Sequence, residues 1–189
     1  MRVIVTRPAS QAAPLVDALR RAGYEPVLCP LIEIEPIDDG PIDVAGYEWV
    51  LVTSANGAEE LVKRHRGYLP RIAAIGAATA SALASYGVAV DFVPSEATQE
   101  ALVAELDADF RAVYRTRRLC PDTPPRGDLA ILASPSAADA FADLGLDIPV
   151  VTIGPQTTAA ARGRGLLVRA QAENAQVDGL VAAVHRAAG

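Results

Sequence analysis

Cysteine and histidine are scarce in this 189-residue sequence: Cys29, Cys120, His65 and His185 are the full complement. No two of them stand at metal-ligand spacing along the chain, so two free thiols are expected, with no zinc and no disulfide framework. Aromatic residues make up only 5% of the chain while apolar residues make up 51%, so Ala, Val, Leu and Ile must supply the packing, an α/β composition. Long apolar runs are also missing. The opening MRVIVTRP holds four residues of strand character, too few for a signal-peptide core or a membrane span, and a cytoplasmic protein with no membrane partner is expected. Basic charge is short as well. A formal charge of -6 and a pI near 4.9 argue against a nucleic-acid partner, and the same field repels acidic small molecules. An anionic ligand would have to be held by local devices such as helix N-termini and placed arginines. Finally, neither G-x-G-x-x-G nor G-x-x-x-x-G-K-S/T occurs, which excludes the usual cradles for a nucleotide cofactor.

What is present is a series of short apolar runs alternating with helical patterns. Residues 3–5 read as a strand, 11–22 place Leu15, Ala18, Leu19 and Ala22 at helical spacing, and 24–30 read as a second strand, together one βαβ unit. LIEIEPIDDGPID then alternates apolar and acidic residues before breaking at Pro36, Gly40 and Pro41, and reads as an extended linker. From Tyr47 the series restarts: EWVLVTS as strand, ANGAEELVKRH as helix, RIAAIG as strand, AATASALASYG as helix, VAVDFVP as strand and SEATQEALVAEL as helix. After the Pro-rich break CPDTPPRGD it runs again through LAILAS, PSAADAFADLG, IPVVTIG, PQTTAAARGRG, LLVRAQ and NAQVDGLVAAVHRA. The two series keep register: Gly76 to Leu102 and Gly154 to Leu180 are both 26 positions, which marks an internal repeat.

Four turns share one grammar, a strand running into small or hydroxyl residues that open a helix: Thr53-Ser54, Gly76 to Thr79, Ser134-Pro135-Ser136 and Gly154 to Thr158. Unpaired backbone N–H groups and the positive end of the helix dipole let such turns hold carboxylates. The same hydroxyls also serve as plain N-caps, and both readings stand. No Ser or Cys has an activating neighbour in sequence, so a catalytic triad is not expected. Tyr114, in AVYRTRR, carries a phenol suited to proton transfer at an oxygen leaving group, and is equally a half-buried strand tyrosine. Arg115, Arg117, Arg118 and Arg126 either pair with ligand carboxylates or form solvated edge charge.

VIVTRPASQAAPLVDALRRAGYEPVLCPLIEIEP, WVLVTSANGAEEL, IAAIGAATASAL with VAVDFVPSEATQEALV, AVYRTRR, ILASPSAADAF and VVTIGPQTTAAA, in this order, resemble the uroporphyrinogen-III synthases. The resemblance implies two flavodoxin-like α/β lobes with parallel sheets, joined by a two-stranded crossover, the first from residues 1–34 and 118–189 and the second from 35–117. It implies a hydro-lyase that takes hydroxymethylbilane, a linear tetrapyrrole with eight carboxylates, to uroporphyrinogen III with ring D inverted, without metal or organic cofactor. Tyr114 matches the family's V-Y-x-T tyrosine, whose implied role is to assist departure of the hydroxyl. Arg7, Thr53, Ser54, Thr79, Ser134, Ser136, Thr157 and Thr158 match positions implied to bind the substrate's carboxylates.

The sequence departs from the family in the middle lobe. Only Asp107 to Val113 separate Leu106 from Tyr114, whereas the equivalent strand-helix unit of the first lobe, Arg2 to Cys29, takes nearly thirty residues. One strand-helix unit is therefore missing, and the shortened lobe is expected to be the less stable. A monomer is expected, with pairing to a second copy through the shortened lobe left open. A noncatalytic module that binds a tetrapyrrole or other polycarboxylate is the alternative reading.

Overall fold

A computed structural model describes residues 1–94 and 112–189. The helix expected over SEATQEALVAEL and the short connection beginning at Asp107 fall largely outside the described residues. In chain order the elements are β1 (Arg2–Val5), α1 (Ala9–Arg21), β2 (Glu25–Leu28), β3 (Ile32–Pro36), β4 (Ile42–Asp43), β5 (Trp49–Val52), α2 (Ala55–Arg64), β6 (His65–Arg66), β7 (Arg71–Ala74) and α3 (Ala77–Ser85). Then follow β8 (Tyr114–Arg118), β9 (Leu129–Leu132), α4 (Pro135–Ala142), β10 (Val150–Thr152), α5 (Pro155–Gly163), β11 (Val168–Gln171) and α6 (Val177–Ala188). They divide into two compact units, Met1–Glu33 with Thr116–Gly189, and Ile34–Arg115.

The first unit is a five-stranded parallel sheet in the order β11-β10-β9-β1-β2, the doubly wound flavodoxin-like arrangement. Period-two alternation decides which side chain meets which helix layer. Val3, Val5, Leu129, Ile131 and Val151 pack with Leu15 and Leu19 of α1 and Leu180 and Val184 of α6. Their neighbours Ile4, Ala130, Leu132 and Val150 pack on the opposite face with Phe141 of α4 and Ala161 of α5. Both faces are thus buried, which is why these strands read as continuous apolar runs.

The second unit repeats the strand-helix-strand-helix plan with less sheet. β5 and β7 pair in parallel, β4 pairs with β6, and the third strand expected over VAVDFVP contributes a single parallel bridge, Ala73 with Phe92. Asp91 explains the shortening: its Oδ2 takes the Ile72 N–H at 2.7 Å, so a side chain occupies a donor that a longer ladder would use. The core cluster here, Ile42, Val44, Val52, Ala58, Leu61, Ile72, Ala74 and Leu83, lies between the strands and α2 and α3. The repeat extends to the caps. α3 and α5 both start at an extended glycine, Gly76 and Gly154, and both end in the same motif, with Val88 N–H bonding Leu83 O and Leu166 N–H bonding Ala161 O. That ending needs left-handed backbone at Gly87 and Gly165, where φ is 77° and 76°.

The segment read from sequence as a linker holds β3, which pairs with β8 in a two-stranded sheet. Leu119 N–H bonds Leu31 O and Ile37 N–H bonds Val113 O, opposite directions along the two segments, so the pair is antiparallel. The boundary between the units falls inside both strands.

Candidate functional site

In a parallel sheet all carboxyl ends lie along one edge, and the helix N-termini that follow them line it. In the second unit β5 delivers Thr53 and Ser54 to the start of α2. Ser54 is the N-cap, its Oγ accepting the Gly57 N–H at 2.9 Å. The same oxygen lies 2.8 Å from the hydroxyl of Tyr114, the first residue of β8. Tyr114 is half-buried, and the contact gives its phenol a fixed partner. Gly57 makes room for the pair: a Cβ there would stand 3.2 Å from Ser54 Oγ and 4.0 Å from Tyr114 Cε1. At the next strand end, Thr79 is buried in the first turn of α3, whose N-cap Gly76 provides no side-chain acceptor.

The first unit has an equivalent edge of its own. Ser134 caps α4, its Oγ accepting the Ala137 N–H at 3.1 Å and lying 3.1 Å from Ser136 Oγ. Its backbone, at φ −164° and ψ 160°, repeats that of Ser54 at −162° and 159°. Thr157 and Thr158 are buried in the first turn of α5. Thr158 Oγ1 is engaged internally, 2.6 Å from Thr152 Oγ1 and 2.7 Å from Oε1 of Gln171 at the end of β11. What remains open to a ligand there is the α5 N-terminus, because Gly154 caps nothing with a side chain. Arg7 follows β1, beside the point where the strand order reverses. It is half-buried, burial lowers its pKa from the ordinary guanidinium value, and among the described residues it has no hydrogen-bond or ion-pair partner. A cation kept partly out of water without a carboxylate is a ready anion receptor.

Within the second unit the structure brings together Ser54 and Tyr114, and within the first unit Ser134 with Ser136, and Thr158 with Thr152 and Gln171. Three of the four clustered arginines pair internally, Arg115 with Glu35 at 2.9 Å, Arg117 with Glu33, and Arg118 with Asp143 at 2.8 Å, while Arg126 is exposed. These exposed pairs brace β3 against β8 and β8 against α4 and contribute little individually. Two residues were not singled out from sequence. Gln171 meets Thr158 as described, and Arg64, in the last turn of α2, pairs with Glu60 four residues earlier at 3.2 Å although both side chains are only 11% exposed. An i,i+4 charge pair on the inward stripe beside Ala58 and Leu61 is the signal that would have found Arg64. Among the described residues no group of His, Cys, Asp or Glu is arranged to hold a metal ion, and no helix is long and apolar enough to cross a membrane.

The sequence model of the family described as uroporphyrinogen-III synthase HemD matches residues 13–121. The chain belongs to the uroporphyrinogen-III synthase family. A uroporphyrinogen-III synthase of Synechococcus elongatus is 31% identical over 114 residues, covering 53% of this chain and 43% of that protein. This member of the family spans about half the length of the curated relatives it matches. Solved structures agree on the fold. A mutant uroporphyrinogen III synthase of Thermus thermophilus superposes with a TM-score of 0.64 at 14% identity, covering 100% of this chain and 98% of that one. The Helicobacter pylori uroporphyrinogen-III synthetase gives 0.62 at 18% identity, covering 98% and 99%.

Proposed function

We propose that this chain is a uroporphyrinogen-III synthase in activity as well as in family: a cofactor-free hydro-lyase that closes hydroxymethylbilane to uroporphyrinogen III with inversion of ring D. The observation that carries the reading is the Tyr114 hydroxyl held 2.8 Å from Ser54 Oγ at the N-terminus of α2. A phenol whose oxygen is fixed at a helix start can give its proton to a departing hydroxyl, with the helix dipole favouring the negative charge left behind. The ring A hydroxyl then leaves as water and an azafulvene remains. The substituted carbon of ring D attacks it to form a spiro intermediate, which fragments and recloses with ring D inverted, and the proton lost on closure returns to the phenolate.

Holding the chain so that inversion outruns spontaneous closure is a positioning task. Eight carboxylates have to be held by a protein of the same net sign, so the grip falls to local groups. Arg7, the first turns of α3 and α5, and the hydroxyl-bearing turns at Thr53, Ser54, Ser134 and Ser136 are the groups assigned to it. Thr79, Thr157 and Thr158 belong to the same turns, and their burial suits them to shaping the rims from below.

Incubation with freshly prepared hydroxymethylbilane, followed by resolution of isomers I and III, tests the reading. Enrichment of isomer III is expected. Tyr114→Phe should lower the rate roughly 100-fold or more while circular dichroism stays unchanged. Full activity in that variant would move the role away from Tyr114, and formation of isomer I alone by the wild type would sink the activity. The chain's short span relative to its relatives favours, in that event, a noncatalytic module that binds a tetrapyrrole.

A further inference from the structure

Tyr114 is held from two ends by one helix. At the first turn of α2, Ser54 meets its hydroxyl. At the last turn, Nη1 of Arg64 reaches the carbonyl of Val113, the residue immediately before Tyr114, at 3.4 Å. That carbonyl also accepts the Ile37 N–H at 3.1 Å. The other donors of Arg64 are directed as well: Nε to Gly40 O at 2.9 Å, Nη1 to Glu60 Oε2 at 3.2 Å and Nη2 to Asp38 Oδ1 at 2.6 Å. One guanidinium therefore joins α2, the 38–40 loop and the entry to β8.

Placement of this kind requires a specific reason, because a buried cation is costly unless its charge and donors are satisfied. Glu60 and Asp38 supply the opposite charge, and two backbone carbonyls take the remaining geometry. The planar five-donor fork of arginine can address acceptors in several directions at once, whereas the compact ammonium of lysine cannot span them. Among the described residues, β8 is paired only with β3, so little ladder holds its first residue in depth. A side-chain clamp fills that need.

We propose that Arg64 is a positioning residue for Tyr114: by fixing the Val113 carbonyl against the end of α2, it sets where the phenol stands relative to Ser54 at the start of the same helix. Its kinetic consequence rests on the reading of Tyr114 given above, while its structural consequence does not. The full chain, labelled with carbon-13 at tyrosine Cζ, gives five resonances, of which Tyr114→Phe identifies one. Arg64→Lys keeps a charge beside Glu60 and Asp38 but loses the fork. The Tyr114 signal should shift or broaden in Arg64→Lys, as in Ser54→Ala, with the Tyr24 signal unmoved. With hydroxymethylbilane, kcat should fall roughly 10- to 100-fold while KM changes less than about threefold. A folded Arg64→Lys protein whose Tyr114 resonance stays at the wild-type position overturns the proposal. Should that variant not fold, the wild type decides: Arg64 side-chain N–H protons resist solvent exchange if the clamp exists, and exchange as fast as that of the exposed Arg126 overturns it. A shifted resonance in a protein that makes no isomer III leaves the positioning intact and removes only the leaving-group role of Tyr114.

Discussion

The Ser54 hydroxyl has two neighbours to serve with one oxygen, the Gly57 N–H and the Tyr114 phenol. Capping consumes a lone pair, so the serine proton or the second lone pair remains for the phenol, and the start of α2 and the tyrosine move as one. Gly57→Ala separates this coupling from simple stability. Alanine is better than glycine inside a helix by about 1 kcal/mol, a gain that offsets weakening of the cap, so unfolding by urea should show stability within about 1 kcal/mol of the wild type. The added methyl would meet Ser54 Oγ at 3.2 Å and push it from the phenol, so isomer III formation should drop roughly tenfold. Retention of full activity in a folded Gly57→Ala protein would mean that this oxygen has no part in turnover.

At the scale of the element, a glycine near the start of α6 behaves in the opposite way. Gly179 stands where a Cβ would approach Asn174 Oδ1 to 2.4 Å and Asn174 O to 2.7 Å. Asn174 is fixed because its Oδ1 accepts the Gln176 N–H at 2.9 Å, turning the chain into the helix. Gly179→Ala should therefore destabilise by about 1–3 kcal/mol despite the helix preference of alanine, measured as a lower urea midpoint at unchanged slope. The elements also show what a sequence can disclose. β1, β9 and β10 were legible because strands buried on both faces are unbroken apolar runs, and α2 and α4 because serine caps announce them. β3 was read as a linker, since IEIEP alternates apolar and acidic residues beside prolines, yet alternation is what a ribbon with one exposed face produces. The strand over VAVDFVP shrank to one bridge because the Asp91 carboxylate took a backbone donor. Ser54 was legible from its turn, but its contact with Tyr114 joins residues sixty positions apart, and Arg64 declares itself only when Val113 and Gly40 are brought to it.

At the scale of the molecule, the two units have separate cores: helices cover both faces of the five-stranded sheet, while the described core of the second unit forms one cluster with α2 and α3. Calorimetry should resolve two transitions. Phe141→Ala, which removes a fully buried ring from the first unit, should cost about 3–5 kcal/mol and lower the upper transition, whereas Leu61→Ala should lower the other. One transition displaced by both variants would show that the cores melt together. The place of β1 in its sheet has a further consequence during synthesis. Val3 lies beside Leu129, so this interior strand waits for a neighbour made more than a hundred residues later. By the time the ribosome delivers that neighbour, the interrupting unit has already been translated. The early β1-α1-β2 piece meanwhile carries Leu15 and Leu19 uncovered by α6, and it is this nascent fragment that a chaperone would find.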